Sequence, residues 1–344
     1  MADEPEVTTT TGAAGGTSPP PGLPEVVAEV DEVGLKVAVV RAALELDLLT
    51  TVSRGADSVA LLAERAGCSV RGTAVLVRAL VALGLLAWDQ GRLVCTDGGG
   101  AYLSRDGAAY AAPIYLGWLR NRDRLVEAVR TGLGPTDHAA DEAGEEWRAY
   151  AAPELVRWPS EVPEIQAVFA DRGVAVPDGG CVLDIGCGSG IVGMALARDV
   201  PGATVVSVDR PEVLAVAGEL AAAMGMDGRV ALVPGDADSL SLAPDSVDVA
   251  LLVNVAQYLD DGRLTAALTG VRSALRPGGV CYLACVVVDD SGSGDWPMNW
   301  SSAVEMYLNS SVDSRTPDQV AGLLANAGFT TVTRLDPARF VASD

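Results

Sequence analysis

Hydrophobic and polar positions keep a helical period through the first half of this chain and alternate between strand and helix in the second. Over residues 34–49 apolar side chains recur at helical spacing, which predicts one amphipathic helix. Two shorter helices are predicted at 58–66 and 70–83, around the turn Gly67-Cys68-Ser69, with Gly84 ending the second. The runs 85–88 and 92–95 then read as a hairpin across Asp89-Gln90-Gly91. Helix, turn, helix and two-stranded wing make residues 31–105 a winged-helix unit. Ahead of it, the Pro/Gly/Thr-rich stretch 1–30 reads as a disordered tail. Behind it, residues 106–172 read as a helical linker with helices at 115–130, 145–158 and 161–172.

From residue 173 to 344 the period changes repeatedly. Strands are predicted at 181–185, 204–209, 229–233, 247–253 and 279–287, and helices near 190–199, 211–224, 262–275 and 317–327. A closing antiparallel pair is expected at 330–335 and 339–342. This alternation predicts an α/β fold, a Rossmann-like doubly wound parallel sheet that takes its ligand at the carboxyl ends of the strands.

Composition narrows the partners. Acidic side chains number 46 against 24 basic ones, a formal charge of −22. Nucleic-acid binding needs a basic footprint, so neither nucleic acid nor an anionic membrane is an expected partner. No apolar run reaches the roughly 18 residues of a spanning helix. The first residues, MADEPEVTTTTGAAGG, lack the basic and apolar regions of a signal peptide. Cysteines 68, 95, 181, 187, 281 and 285 show neither C-x-x-C pairs nor zinc spacing, so a reduced, cytoplasmic protein without a metal is expected. Lys36 is the only lysine and His138 the only histidine. A P-loop, a Schiff-base lysine in the second half, a serine triad and a multi-histidine metal site are thereby set aside.

Candidate chemistry concentrates in VLDIGCGSG, residues 182–190. A short buried strand carries Asp184 near its end, and Gly186, Gly188 and Gly190 follow at alternate positions. Glycines there let the backbone turn sharply and approach a bound nucleoside, with a helix N-terminus aimed at it. Asp209, followed by Arg210, ends the next strand about 20 residues on, where an acid accepts hydrogen bonds from both ribose hydroxyls. That arrangement serves NAD and S-adenosylmethionine (SAM) alike, and Gly188 to Gly193 also satisfies the dinucleotide pattern. Asp236 and Ala237 follow the third strand, placed for the adenine, and Asn254 follows the fourth.

The alternate-glycine motif resembles motif I of the class I SAM methyltransferases, and so does the block VDVALLVNVAQYLDDGRLTAALTGVRSALRPGGV, residues 247–280. A winged-helix domain, a helical linker and a SAM domain, in that order, resemble the plant-type small-molecule O-methyltransferase family, including its bacterial members that tailor natural products. The segment Arg315-Thr316-Pro317 leading into VAGLLANAGF matches the family's closing helix. The resemblance implies SAM as cofactor, a small-molecule acceptor, and a homodimer built on the winged-helix domain instead of DNA binding.

The chain departs from that family where its catalytic histidine would stand: an ungapped match puts Gln257 there and Tyr258 at the following acid. Cys285 replaces an acidic partner at the end of the fifth strand, and Ser314, beside Asp313, a second supporting acid. Glutamine takes no proton at neutral pH. Three routes fit: a nucleophile needing no strong base; a different base, such as Tyr258, Asp289, Asp290 or His138; or SAM used without methyl transfer, by cyclisation, cleavage or as an electrostatic cofactor. A SAM-sensing winged-helix regulator is the non-enzyme alternative. The expected activity is SAM-dependent methyl transfer by proximity and orientation. The acceptor pocket is expected from Trp147, Tyr150 and Phe169 of the linker and Trp296, Met298, Trp300, Met306 and Tyr307 beyond the fifth strand.

Overall fold

The computed structural model describes residues 25–132, 148–288, 299–310 and 312–344. The first helix, α1 (Glu25–Glu45), begins inside the stretch read as a tail. The single helix expected over 34–49 is interrupted before α2 (Leu48–Ser53). Asp47 takes a left-handed conformation, φ 51°, and its carboxylate accepts the Thr50 hydroxyl at 2.6 Å, so local capping outweighs apolar periodicity here. Helices α3 (Val59–Arg65) and α4 (Val70–Ala82) start on serine caps: Ser58 accepts the Leu61 N–H and Ser69 the Gly72 N–H. The hairpin β1 (Leu86–Asp89) and β2 (Arg92–Cys95) closes the unit over a core of Leu48, Leu49, Leu62, Leu80, Leu86 and Leu93.

After α5 (Asp97–Leu103) ends that unit, the linker begins with α6 (Ala112–Asp123) and α7 (Leu125–Thr131), so the helix expected at 115–130 is broken at Arg124. Then α8 (Glu154–Asp171) runs unbroken through Pro159 and Pro163, where two separate helices were expected. Each proline removes one helical hydrogen bond. Burial of Val162 and Phe169 against the next domain holds the helix together regardless.

The remaining elements form a seven-stranded sheet between helices. In chain order they are β3 (Cys181–Ile185), α9 (Ile191–Arg198), β4 (Thr204–Asp209), α10 (Pro211–Ala223), β5 (Val230–Pro234) and β6 (Val247–Val253). They continue with α11 (Asp261–Ala274), β7 (Leu275–Ala284), α12 (Asn299–Asn309), α13 (Pro317–Asn326), β8 (Thr331–Asp336) and β9 (Arg339–Ser343). The sheet order is β5-β4-β3-β6-β7-β9-β8, parallel from β5 to β7, with β9 antiparallel to both neighbours. Strand β7 spans 275–284 instead of 279–287, because the Arg-Pro-Gly-Gly stretch joins it across a register shift at Val247/Val249. Apolar residues of α8, α9 and α10 cover one face, and those of α11 and α13 cover the other. Among the described residues no helix is long and apolar enough to cross a membrane.

Candidate active site

Strand β3 pairs with β4 on one side and β6 on the other, so the connections leave it in opposite directions. A crevice forms outside the strand ends at such a switch point. Here it is a cleft of about 760 Å³, walled by the sheet below and the linker above.

The glycine turn shapes its floor. Gly186, Gly188 and Gly190 have φ of 63°, 56° and 76°, the left-handed region that disfavours side chains. A Cβ on Gly186 would stand 2.6 Å from a Val255 methyl, and one on Gly190 2.6 Å from Met194. A Cβ on Gly188 would meet nothing within 4 Å, because that position faces the open cleft. The carboxylate of Asp209 is anchored to the turn it faces, accepting the Gly188 N–H at 2.8 Å and the Arg210 N–H at 2.8 Å. Asp184 is 2% exposed and accepts the Gly193 N–H at 3.1 Å. Burial, with the Asp209 charge adding, pushes its carboxyl up to about 7; burial raises Asp209 as well.

Asp236 and Ala237 line the cleft past β5, whereas Asp238 pairs with Arg263 at 2.7 Å. Asn254, also on the wall, takes φ 57°. Gln257, expected at the histidine position, is 8% exposed, and its amide donates to the Asn254 carbonyl at 3.0 Å. Tyr258 does line the cleft, and burial first, then Tyr150 and Glu305, pushes its phenol up to about 12. The loop carrying both is held by a residue the motifs read only as a helix start. Arg315, 7% exposed, donates to the carbonyls of Ala256 at 3.1 Å and Leu259 at 2.6 Å and pairs with Asp261 at 2.8 Å.

On the linker side Tyr150 lines the cleft as expected, joined by Ile114, Tyr115 and Trp118 of α6 and by Glu154. Sequence reasoning passed over these four; the signal for α6 was the helical spacing of Ile114 and Trp118. Phe169 is displaced from its expected place: its ring packs 4.6 Å from Tyr282 within the core, because α8 turns that side toward the sheet. Met306 is buried at 6%, and the Tyr307 hydroxyl donates to the Ala128 carbonyl at 2.6 Å, so both brace α12 instead of walling the cleft. Further ties join α12 to α6, Asn121 to Asn309 at 2.7 Å and Arg122 to Glu305. His138, Trp147, Asp289, Asp290, Trp296 and Met298 lie outside the described residues, and so does the side chain of Trp300.

A switch-point cleft floored by a left-handed glycine turn, with an acid ending the next strand, defines a nucleoside-binding site, and the matching family models make it that of a class I SAM-dependent methyltransferase. Residues 182–279 match the model of a methyltransferase domain and residues 34–106 that of the O-methyltransferase dimerisation domain. The chain is 31% identical over 299 residues to the 3-hydroxy-5-methyl-1-naphthoate 3-O-methyltransferase of Streptomyces sahachiroi, covering 82% of this chain and 83% of that one. It is 28% identical over 308 residues to the acetylserotonin O-methyltransferase of Mus musculus molossinus, covering 83% and 78%. Human N-acetylserotonin methyltransferase in complex with SAM has a TM-score of 0.69 and 19% identity over 94% of this chain and 98% of that one. The chain belongs to the plant-type small-molecule O-methyltransferase family, and its cofactor is SAM.

The raised carboxyls set a pH dependence. SAM carries a net positive charge, and bound beside Asp184 it should favour the ionised carboxylate, against the protonated form that burial favours in the free protein. Binding at pH 6 therefore releases a proton, and affinity should rise through about pH 7. Calorimetry in two buffers of different protonation enthalpy measures both; an affinity flat across that range with no proton release would refute it.

Proposed function

We infer that the protein methylates a hydroxyl of a flat, largely aromatic small molecule, as a homodimer in the cytoplasm. The observation that carries this reading is one cleft uniting the glycine turn and Asp209 with an aromatic wall of Tyr115, Trp118, Tyr150 and Tyr258. A wall of aromatic rings suits a planar acceptor, and polar groups such as Glu154 and Asn309 beside it can orient that acceptor. The naphthoate and acetylserotonin acceptors of the relatives above support the same class. Exposed Val30, Val33, Leu35 and Val37 on α1, within and beside the segment matching the dimerisation domain, support self-association. Six free cysteines support a reducing compartment.

The residues present fit the cofactor. Asp184 and the three glycines would shape the methionine end, Asp209 and Arg210 the ribose, and Asp236 and Ala237 the adenine side, with Asn254 across the cleft at the end of β6. Gly188, open toward the cleft, leaves the space that a side chain would otherwise fill. When bound, SAM supplies a methyl group already activated by its sulfonium. The cleft walls then exclude water and hold the acceptor in line, which can supply much of the rate. Gln257 contributes as a strut of the 256–258 turn and not as a base.

Mass spectrometry of products tests the reading. S-adenosylhomocysteine together with an acceptor heavier by one CH₂ group is expected. Methylthioadenosine, or unchanged SAM beside a rearranged substrate, would replace methyl transfer with the alternative chemistry. Gln257→Ala should lower turnover only modestly, by less than about tenfold.

A further inference from the structure

The acceptor wall holds an acid that no motif names. Glu154 opens α8 and lines the cleft beside Tyr150. Its Oε2 is buried and has no hydrogen-bond partner among the described residues. A buried acceptor without a donor is destabilising, and a hydroxyl entering the cleft would supply that donor. On the same helix, Arg157 lies 3.7 Å from Glu154 Oε1 and pairs with Glu161. Off the helix, the Tyr150 phenol faces Glu154, Tyr258 faces Tyr150, and Glu305 beyond it is paired with Arg122. Burial first, then the neighbouring Glu161 carboxyl, pushes Glu154 up to about 8, against the Arg157 charge. A base works best when its pKa lies near the working pH. The family's histidine position cannot serve, because Gln257 stands there with its amide tied to Asn254.

We propose that the Glu154 carboxylate accepts the proton of the acceptor's hydroxyl during methyl transfer, a role that rests on the hydroxyl-methylating reading above. The acceptor's O–H bond breaks and its proton goes to Glu154. The oxygen bonds the methyl carbon, and the carbon–sulfur electron pair leaves with sulfur as a neutral thioether. Proximity still carries the alignment; Glu154 removes the charge that would otherwise build on the acceptor oxygen.

The test uses the full-length protein with beta-naphthol and its more acidic nitro derivative as acceptors. Glu154→Gln should lower kcat on beta-naphthol by about a hundredfold or more, with KM for SAM unchanged. The deficit should shrink at least about tenfold on the nitro derivative, which arrives already ionised. Glu161→Gln should move the rising limb of the pH–rate profile to lower pH, since it removes the neighbouring carboxyl that holds Glu154 protonated. Equal losses on both acceptors with an unmoved limb would overturn the proposal. Infrared difference titration of the protein without SAM, referenced to Glu154→Gln, gives a readout independent of turnover. A carboxyl band converting to carboxylate near pH 8 is expected; a Glu154 already fully ionised at about pH 6 would overturn the role. Should neither naphthol be methylated by the wild type, the hydroxyl reading fails and the role of Glu154 falls with it; methylation of both with equal Glu154→Gln losses overturns the role alone.

Discussion

Gly188→Leu should abolish SAM binding while leaving the protein folded. The new side chain would meet no protein atom near its Cβ, because the position faces the cleft. What it meets is the space reserved for the cofactor. Its φ of 56° disfavours leucine by roughly 1–2 kcal/mol, a modest part of the about 5–15 kcal/mol that stabilises a typical protein. Calorimetry should show affinity for SAM falling by at least about a hundredfold, near 2.7 kcal/mol, while circular dichroism reports native secondary structure. Affinity within about tenfold of wild type would refute the assignment of the turn. Gly186→Ala is the contrasting control: its Cβ would run into Val255, so folding itself should suffer.

Arg315→Ala should be the most destabilising single change outside the apolar core. It leaves the Leu259 carbonyl without its donor and the Ala256 carbonyl with only the Leu259 N–H at 3.3 Å. Each orphaned buried group costs about 1–3 kcal/mol. The ion pair with Asp261 adds little, since that carboxylate is 75% exposed. A loss of about 2–3 kcal/mol should lower the melting temperature of this 344-residue chain by roughly 3–4 °C. Turnover should fall further than stability alone explains, because Tyr258 rides on the loop that is released. Arg315→Lys should recover only part of the loss, since one ammonium cannot span three acceptors in a fixed fork. A melting temperature unchanged within about a degree would show that the loop holds itself.

The parts of the fold and site visible in the sequence are those whose cause is local. The doubly wound sheet follows from apolar runs alternating with helical ones, and the β3 turn from alternate glycines. The same locality explains the misreadings. Asp47 breaks the first long helix through one side-chain bond that periodicity does not register. Pro159 and Pro163 suggest two helices, yet α8 stays whole because the packing that sustains it comes from another domain. Arg315 was invisible for a related reason: the carbonyls it serves lie 59 and 56 positions away. Phe169 could be assigned to pocket or core only once the rotation of α8 was known.

The ties between α6–α7 and α12 have a consequence for engineering. Asn121, Arg122 and Ala128 reach across to Asn309, Glu305 and Tyr307, so these segments form one mechanical unit although some 180 residues of chain separate them. A chimera that imports a relative's α6–α7 without its α12 loses the two side-chain links, keeping only the Tyr307 bond to a backbone carbonyl, and should yield a loosened, low-turnover enzyme. Importing both together carries the links along. The two distant segments should therefore be transplanted as a pair, and libraries diversifying one alone are expected to sample mostly broken scaffolds.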